Sequence, residues 1–132
     1  ILSEKYKIVF PVHPRTKKLI KENKIKLNFN LDTPKDYLTF MGLVKGSKFV
    51  LTDSGGLVRE AYWMKKKSLF ILNKPVWPEL NEAGVSINCR PTTKSILTSF
   101  NRLESMDINF IEGLLGDGNA STYITESLLS YE

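Results

Sequence analysis

Residues 50–61 read VLTDSGGLVREA, and this stretch decides the fold. The apolar residues 49–51 predict a buried strand, and the polar residues after them predict a sharp turn. Leu57, Ala61 and Met64 recur at positions i, i+4 and i+7, which is the spacing of one apolar helix face. The stretch therefore predicts a strand, a turn and a helix in direct succession.

Ser54, Gly55 and Gly56 stand at the mouth of this predicted helix. Adjacent glycines leave backbone N–H groups uncovered by any Cβ, and a helix start has unpaired donors and a partial positive charge, so a phosphate suits it. Glu60 lies four residues beyond Gly56 and roughly 6 Å along the axis, where its carboxylate can accept hydrogen bonds from two sugar hydroxyls. The alternative is that the glycines only turn the chain, and Asp53 is expected to be no more than a helix cap.

The composition is that of one soluble globular domain, with 132 residues, 42% hydrophobic and 25% charged. A single cysteine, Cys89, excludes an internal disulfide, and its apolar neighbours predict a buried, inert thiol. No apolar run is long enough to span a bilayer and no signal peptide is apparent, so we expect no membrane partner and a cytoplasmic location. The chain begins at Ile1, which predicts a fragment of a longer protein or a trimmed chain.

The net charge of +5 raises the question of nucleic-acid binding, which phosphate neutralisation by lysines drives. The basic residues have no interleaved aromatics and match no nucleic-acid motif. We therefore interpret them as solvated helix faces and predict no nucleic-acid partner. They are Arg15, Lys17, Lys18, Lys21, Lys24 and Lys26, and the run Lys65–Lys67.

Predicted strands alternate with predicted helices along the chain. The strands are expected at 7–13, 25–29, 49–51, 68–72 and 85–89, and the helices at 14–23, 34–46, after 54, at 79–83, after 92 and after 119. Such alternation predicts an α/β, Rossmann-like fold, a mainly parallel sheet with helices on both faces, in a single domain over residues 1–132.

The predicted helix at 34–46 has its own start signal, with Thr33 as the cap and Pro34 at the first helical position. Its apolar face would contain Leu38, Met41 and Val44, and the final helix would align Ala120, Ile124 and Leu128 in the same way. In the first basic helix, Leu19 and Ile20 are expected to face inward. Asp117 and Asn119 are expected to cap the final helix.

Ligands of open parallel sheets bind beyond the carboxyl ends of the strands. His13, residues 53–56 and residues 73–77 all follow predicted strand ends, so we expect them to line one rim. His13 has a simpler interpretation as a turn residue between prolines. Trp77 is expected to pack under its own loop.

Seven blocks together cover nearly the whole chain from Phe10 onward: FPVHPRT at 10–16, PKDYLTF at 34–40, LTDSGG at 51–56, EA at 60–61, WPE at 77–79, EAG at 82–84 and GDGNAS at 116–121. In this order they resemble the non-hydrolysing UDP-N-acetylglucosamine 2-epimerases.

This resemblance implies the C-terminal domain of a GT-B-type two-domain enzyme, whose catalytic N-terminal domain is missing from this chain. By the matching motifs, Ser54, Gly55 and Gly56 would bind the phosphates of UDP and Glu60 the ribose hydroxyls. Phe40, otherwise interpretable as core, and Lys35 would flank the uracil, and His13 and Arg15 would lie at the rim or at a second UDP-sugar site. The implied reaction interconverts UDP-GlcNAc and UDP-ManNAc by eliminating UDP to a glycal and adding it back, with no metal and no cofactor.

The chain also departs from the family pattern. Leu72 replaces a usual arginine, Pro75-Val76 a Thr-Glu pair, and Val58-Arg59 a Gln-Glu pair. An arginine clamp on phosphate is worth about 1.5–3 kcal/mol as a charged hydrogen bond. Either Arg59, predicted on the helix surface, or Lys65–Lys67 compensates, or substrate binding in the whole protein is weak or altered.

Three functions follow as hypotheses. The first is the UDP-binding half of a 2-epimerase, inert alone because the general acid and base are elsewhere. The alternatives are the donor-binding domain of a GT-B glycosyltransferase and a non-catalytic nucleotide-sugar sensor. A domain cut from its partner domain exposes apolar surface, so we also expect a homodimer.

Overall fold

The structure, a computed structural model, describes residues 1–131. The chain divides into two compact units, Ile1–Leu43 and Val44–Glu132. The single domain over residues 1–132 stays a prediction.

The second unit is built on a parallel sheet of three strands in the order β1-β2-β3. Strand β1 is Phe49–Thr52, β2 is Lys67–Ile71 and β3 is Ser86–Cys89. In the register, Leu51 lies beside Leu69, and Leu69 lies beside Ile87. Three predicted strands and the parallel sheet are thereby confirmed.

Seven helices are described within residues 1–131: α1 Leu2–Lys5, α2 Pro14–Glu22, α3 Tyr37–Gly46, α4 Gly55–Trp63, α5 Pro78–Glu82, α6 Thr93–Ser105 and α7 Ala120–Leu129. Helix α6 has the expected start, because the Thr92 hydroxyl accepts a hydrogen bond from the Ser95 N–H. Helix α5 ends before Gly84, whose φ of +70° lies in the left-handed region that favours glycine.

Both faces of the sheet are covered, because neighbouring residues of a strand point to opposite sides. On one face, Phe70 packs with Val58 and Tyr62 of α4 and Leu80 of α5. On the other face, the ring of Phe49 in β1 lies 4.9 Å from that of Phe100 in α6, edge to face. The predicted arrangement of helices on both faces is therefore confirmed.

The buried face of α4 differs by one position from the predicted one. Val58, Ala61 and Tyr62 are buried, whereas Leu57 and Met64 are half-buried. The predicted helical period was right, but the wide ring of Tyr62 and not the flexible side chain of Met64 meets the sheet. The open side of α4 is therefore also shifted by one position from the predicted one.

The hydroxyl of Tyr62 fastens the segment after α6 to the core. It donates a hydrogen bond to the Ile111 carbonyl and accepts one from the Leu114 N–H at 3.2 Å. Apolar side chains of this segment pack against the core cluster. A segment without regular structure is thus held by one buried hydroxyl and its apolar contacts.

In the first unit, the predicted strands at 7–13 and 25–29 are wrong. The first pairs only through a single parallel bridge between Pro11 and Asp32, formed by Val12 N–H to the Asp32 carbonyl and Asp32 N–H to the Phe10 carbonyl. Beyond this bridge the next two bonds of the ladder would need N–H groups at positions 34 and 14, and both residues are prolines. Without a partner strand, apolar Phe10 and Ile25 stay exposed.

Two predicted helix features of the first unit also need correction. Helix α3 is capped by Asp36, not by Thr33, because the Asp36 carboxylate accepts hydrogen bonds from both the N–H and the hydroxyl of Thr39. These bonds lower the pKa of Asp36. Leu38 of α3 and Leu19 of α2, both expected inside, are exposed, while Met41 of α3 is buried.

The turn before α7 depends on its glycines, since Gly116 and Gly118 have φ values of +103° and +86°. Between them, the Asp117 carboxylate accepts hydrogen bonds from the Asn119 N–H and from the Tyr123 hydroxyl, which lower the pKa of Asp117 to about 2. The Asn119 side chain, expected to cap α7, makes no capping bond. The predicted apolar face of α7 is not buried, and Ile124 is 59% exposed.

We expect Tyr62→Phe to lower the free energy of unfolding by about 1–3 kcal/mol, because the buried ring stays while the Leu114 N–H loses its partner. Urea unfolding of the chain measures this. The matched control is Tyr131→Phe, at a ring residue that is 91% exposed, and it should change stability little. Equal effects of the two changes would contradict the anchoring role of Tyr62.

Candidate functional site

The loops that follow β1 and β2 meet at the carboxyl ends of these neighbouring strands. The indole Nε1 of Trp77 donates a hydrogen bond of 2.9 Å to the Gly55 carbonyl. Trp77 also packs against the core cluster, as the sequence predicted. The expected rim is confirmed for these two loops. His13 is different, because no strand precedes it in the described chain.

Ser54 is the N-cap of α4. Its Oγ accepts a hydrogen bond from the Leu57 N–H at 3.4 Å, and its own N–H donates to the Thr52 hydroxyl at 3.0 Å. Asp53, the predicted cap, is therefore not the cap. Because a capping hydroxyl acts only as an acceptor, the O–H of Ser54 remains able to donate to a ligand.

Gly55 and Gly56 open α4, and within residues 1–131 their N–H groups have no acceptor. Neither glycine has a positive φ. A Cβ at Gly55 would lie 3.4 Å from Trp77 Nε1 and 3.5 Å from Val76 Cγ1, and one at Gly56 would meet only the Ser54 Oγ at 3.8 Å. Alanine would fit at both positions, so the packing and backbone of this chain do not require glycine there.

Glu60 lies one turn further along α4 than Gly56 and is half-buried. Among residues 1–131 its carboxylate has neither a hydrogen-bond donor nor an ion-pair partner. Side chains of a helix lean toward its N-terminus, so this carboxylate leans toward the turn at 54–56. The mouth of α4 therefore offers two free amides, one hydroxyl and one free carboxylate.

The sequence named Arg59 as a residue that could replace the missing arginine, but it did not reveal the surroundings of this side chain. We expected it on the open helix surface, but its guanidinium carbon lies 4.5 Å from the ring centre of Trp77 and 5.8 Å from that of Trp63. The i, i+4 spacing of Arg59 and Trp63 was a signal for one of the two contacts. The contact with Trp77 spans two elements and has no local signal.

The other predicted site residues lie in the first unit. His13 is the N-cap of α2, where its Nδ1 accepts the Arg15 N–H at 3.2 Å, which agrees with the turn interpretation. The Lys35 ammonium lies 2.9 Å from an Asp32 carboxylate oxygen, and its hydrogen bond lowers the pKa of Asp32. Phe40 is half-buried on α3. The ligand roles of these residues stay predictions.

Cys89 is buried, as expected, and burial raises the pKa of its thiol. In the described part of the chain, no three His, Cys, Asp or Glu side chains lie close enough together to hold a metal ion. No helix among residues 1–131 combines the length and the apolar character that crossing a bilayer requires.

The sequence matches the family model of UDP-N-acetylglucosamine 2-epimerase over residues 1–129. It is 34% identical over 128 residues to a UDP-N-acetylglucosamine 2-epimerase homolog from Methanococcus maripaludis, covering 92% of this chain and 36% of that protein. It is 32% identical over 121 residues to a UDP-2,3-diacetamido-2,3-dideoxy-D-glucuronate 2-epimerase from Pseudomonas aeruginosa, covering 92% and 34%. The chain thus spans about a third of the length of these relatives.

Solved structures give the same result. The UDP-GlcNAc 2-epimerase of Methanocaldococcus jannaschii, in complex with UDP-GlcNAc and UDP, matches with a TM-score of 0.83 and 29% identity over 98% of this chain and 37% of that one. The enzyme from Neisseria meningitidis, bound to UDP-GlcNAc, matches with a TM-score of 0.71 and 32% identity over 97% and 38%. The predicted α/β fold of a GT-B-type epimerase is confirmed, and this chain belongs to the UDP-N-acetylglucosamine 2-epimerase family.

Proposed function

We propose that this chain is the UDP-binding part of a UDP-N-acetylglucosamine 2-epimerase. Ser54, Gly55 and Gly56 hold the diphosphate and Glu60 accepts hydrogen bonds from the ribose hydroxyls. The assignment of Phe40 and Lys35 to the uracil, and of His13 and Arg15 to the rim or a second UDP-sugar site, rests on the family resemblance alone.

The observation that supports this proposal is the pair of bare amides at the mouth of α4. Glycine destabilises a helix relative to alanine, on the order of 0.5–1 kcal/mol in its interior, and neither Gly55 nor Gly56 needs its freedom of backbone or space within the chain. A phosphate that approaches the backbone closely explains both glycines. The positive end of the helix then adds to the attraction.

In the proposed reaction, a base removes the proton from C2 of the sugar, the C1–oxygen bond breaks and UDP leaves as an anion. The negative charge that develops on the leaving phosphate oxygen meets donors that are already oriented. Re-addition of UDP to the glycal, after a proton is delivered to the other face of C2, gives the epimer. We assign the proton transfers to the rest of the enzyme, so this chain alone should be inactive.

The relatives differ in the sugar named for them, and one acts on a diacetamido uronate. The mouth of α4 faces the part of the substrate that these nucleotide sugars share. We therefore propose UDP as the ligand of this chain and leave the choice of sugar to the rest of the enzyme.

We also propose that the chain forms a homodimer. Helix α7 exposes a row of apolar side chains, including Ile124 at 59%, Leu128 at 69% and Leu129 at 76%. Contiguous apolar surface of this kind favours association.

We expect the chain to bind UDP and to leave UDP-GlcNAc unchanged. Calorimetric titration should show that Ser54→Ala and Glu60→Gln each weaken UDP binding about 10–100-fold, the value of a charge-assisted hydrogen bond of about 1.5–3 kcal/mol. Product analysis by NMR should detect no UDP-ManNAc. Turnover by the chain alone would refute the assignment of acid and base to another part of the enzyme.

Matched controls separate binding from folding in that experiment. Thr92→Ala removes the N-cap of α6 as Ser54→Ala removes that of α4, and Glu79→Gln neutralises an exposed carboxylate on α5. Both controls should bind UDP like the unchanged chain. If Ser54→Ala and Glu60→Gln do so as well, the site assignment fails.

Gly56→Ala should weaken UDP binding without lowering the stability of the chain. We expect it to leave the free energy of unfolding unchanged or to raise it by up to about 1 kcal/mol, because the Cβ has room and alanine favours helix. UDP binding should fall at least tenfold, because the same Cβ stands where the phosphate approaches. Undiminished binding would show that the phosphate lies elsewhere.

Sedimentation equilibrium should find a dimer at micromolar concentration. Replacing both Ile124 and Leu128 by serine should shift the chain to a monomer. The control Leu38→Ser changes an equally exposed leucine on α3, 79% accessible, and should not alter the association. A chain that is monomeric at high concentration would contradict the proposal.

A further inference from the structure

Arg59 is placed on the side of α4 that leads to the diglycine. It follows Gly55 by four residues and precedes Trp63 by four, so the three positions share one stripe of the helix. Trp77 lies against the same stripe from the neighbouring loop. Both tryptophans of the protein therefore flank a single guanidinium.

In the described chain, the guanidinium of Arg59 contacts two aromatic rings and pairs with no carboxylate. Its Nε is buried and has no hydrogen-bond partner, and within the described chain no carboxylate forms an ion pair with the guanidinium. Cation–π contacts fix the position of a guanidinium without neutralising its charge. Neither terminal nitrogen of the guanidinium is buried without a partner, so both remain able to donate to a ligand.

Trp77 connects this cation to the helix mouth. Its Nε1 bonds the Gly55 carbonyl, and its ring is the surface on which Arg59 lies. Trp77 therefore lies against both the first residue of α4 and the guanidinium of Arg59. Because helical side chains lean toward the N-terminus, position 59 suits a guanidinium that reaches a ligand at the amides of the diglycine.

The nearby lysines are less suitable for a phosphate at this position. The Lys65 ammonium lies 3.5 Å from a Glu112 carboxylate oxygen, and that of Lys67 donates to the Met106 carbonyl. Leu72, at the position where the family resemblance implies an arginine, is apolar and 40% exposed. Arg59 differs from these lysines, because its guanidinium lies against the rings of Trp63 and Trp77.

We infer that Arg59 is a further diphosphate-binding residue, and that Trp63 and Trp77 hold its guanidinium at the helix mouth. This inference rests on the proposed UDP site. It explains how the chain replaces the missing arginine at position 72, with the clamp supplied by α4 itself.

Titration of the chain with UDP tests the inference. Arg59→Met should weaken binding at least tenfold, and Arg59→Lys, which keeps the charge but loses the planar fork, about threefold. Arg102→Met removes the same type of side chain from α6 and should change binding less than twofold. Equal effects of Arg59→Met and Arg102→Met, with both variants folded by circular dichroism, would overturn the inference.

Tryptophan fluorescence provides a second measurement that a purely structural role would not change. In the variant Trp63→Phe, the remaining emission comes from Trp77. Saturating UDP should shift that emission, because the diphosphate brings negative charge to the guanidinium that lies on the ring, and Arg59→Met should abolish the shift. A shift that persists without Arg59 would count against its contact with the diphosphate.

The outcomes distinguish this inference from the proposed function. If Ser54→Ala and Glu60→Gln weaken UDP binding but Arg59→Met does not, the UDP site stands and the role of Arg59 is wrong. If none of the three weakens binding, the proposed site itself is wrong. If Arg59→Met unfolds, the threefold effect of Arg59→Lys decides.

Discussion

Burial of β2 on both faces is the constraint on which the second unit depends. Leu69 is fully buried and Phe70 is 2% exposed, although they point to opposite sides of the sheet. A strand with two apolar faces needs a layer of helices on each side, which α4 and α5 supply on one and α6 on the other. Parallel neighbours then bring the ends of β1 and β2 together. The contact between Trp77 and Gly55, and with it the shape of the candidate site, follows from that arrangement.

The contrast between the two units shows what determines whether an apolar segment becomes a strand. The segments around Val50 and Leu69 formed strands as predicted because each has a parallel neighbour with which its backbone pairs. The segment around Phe10 is as apolar but pairs only at Pro11, because the next donors of that ladder would be Pro34 and Pro14, which have no N–H. Apolar pattern thus predicts what a segment can become, while backbone pairing, a property of the whole fold, decides the outcome.

The candidate site shows the same contrast between features set by local sequence and features set by the whole fold. Ser54, the two glycines and Glu60 could be found from the sequence because they lie within the first two turns of one helix, where spacing determines geometry. The cap itself was misassigned to Asp53, since local spacing does not decide which of two adjacent polar side chains turns to the helix. The stacking of Arg59 on Trp77 could not be predicted, because it joins residues on two elements that only the folded sheet brings together.

The proposed chemistry gives a reason for a half-site that offers donors and charge but no reacting group. In an elimination followed by re-addition, the UDP that leaves must stay in place until it returns to the other epimer. A site that holds the diphosphate as tightly when it is free as when it is bound to the sugar keeps it at a high effective concentration beside the glycal. Such binding does not by itself lower the barrier to proton transfer at C2. Retaining UDP and moving the proton are thus separable tasks, and the open mouth of α4, with Arg59 stacked beside it, is suited to the first.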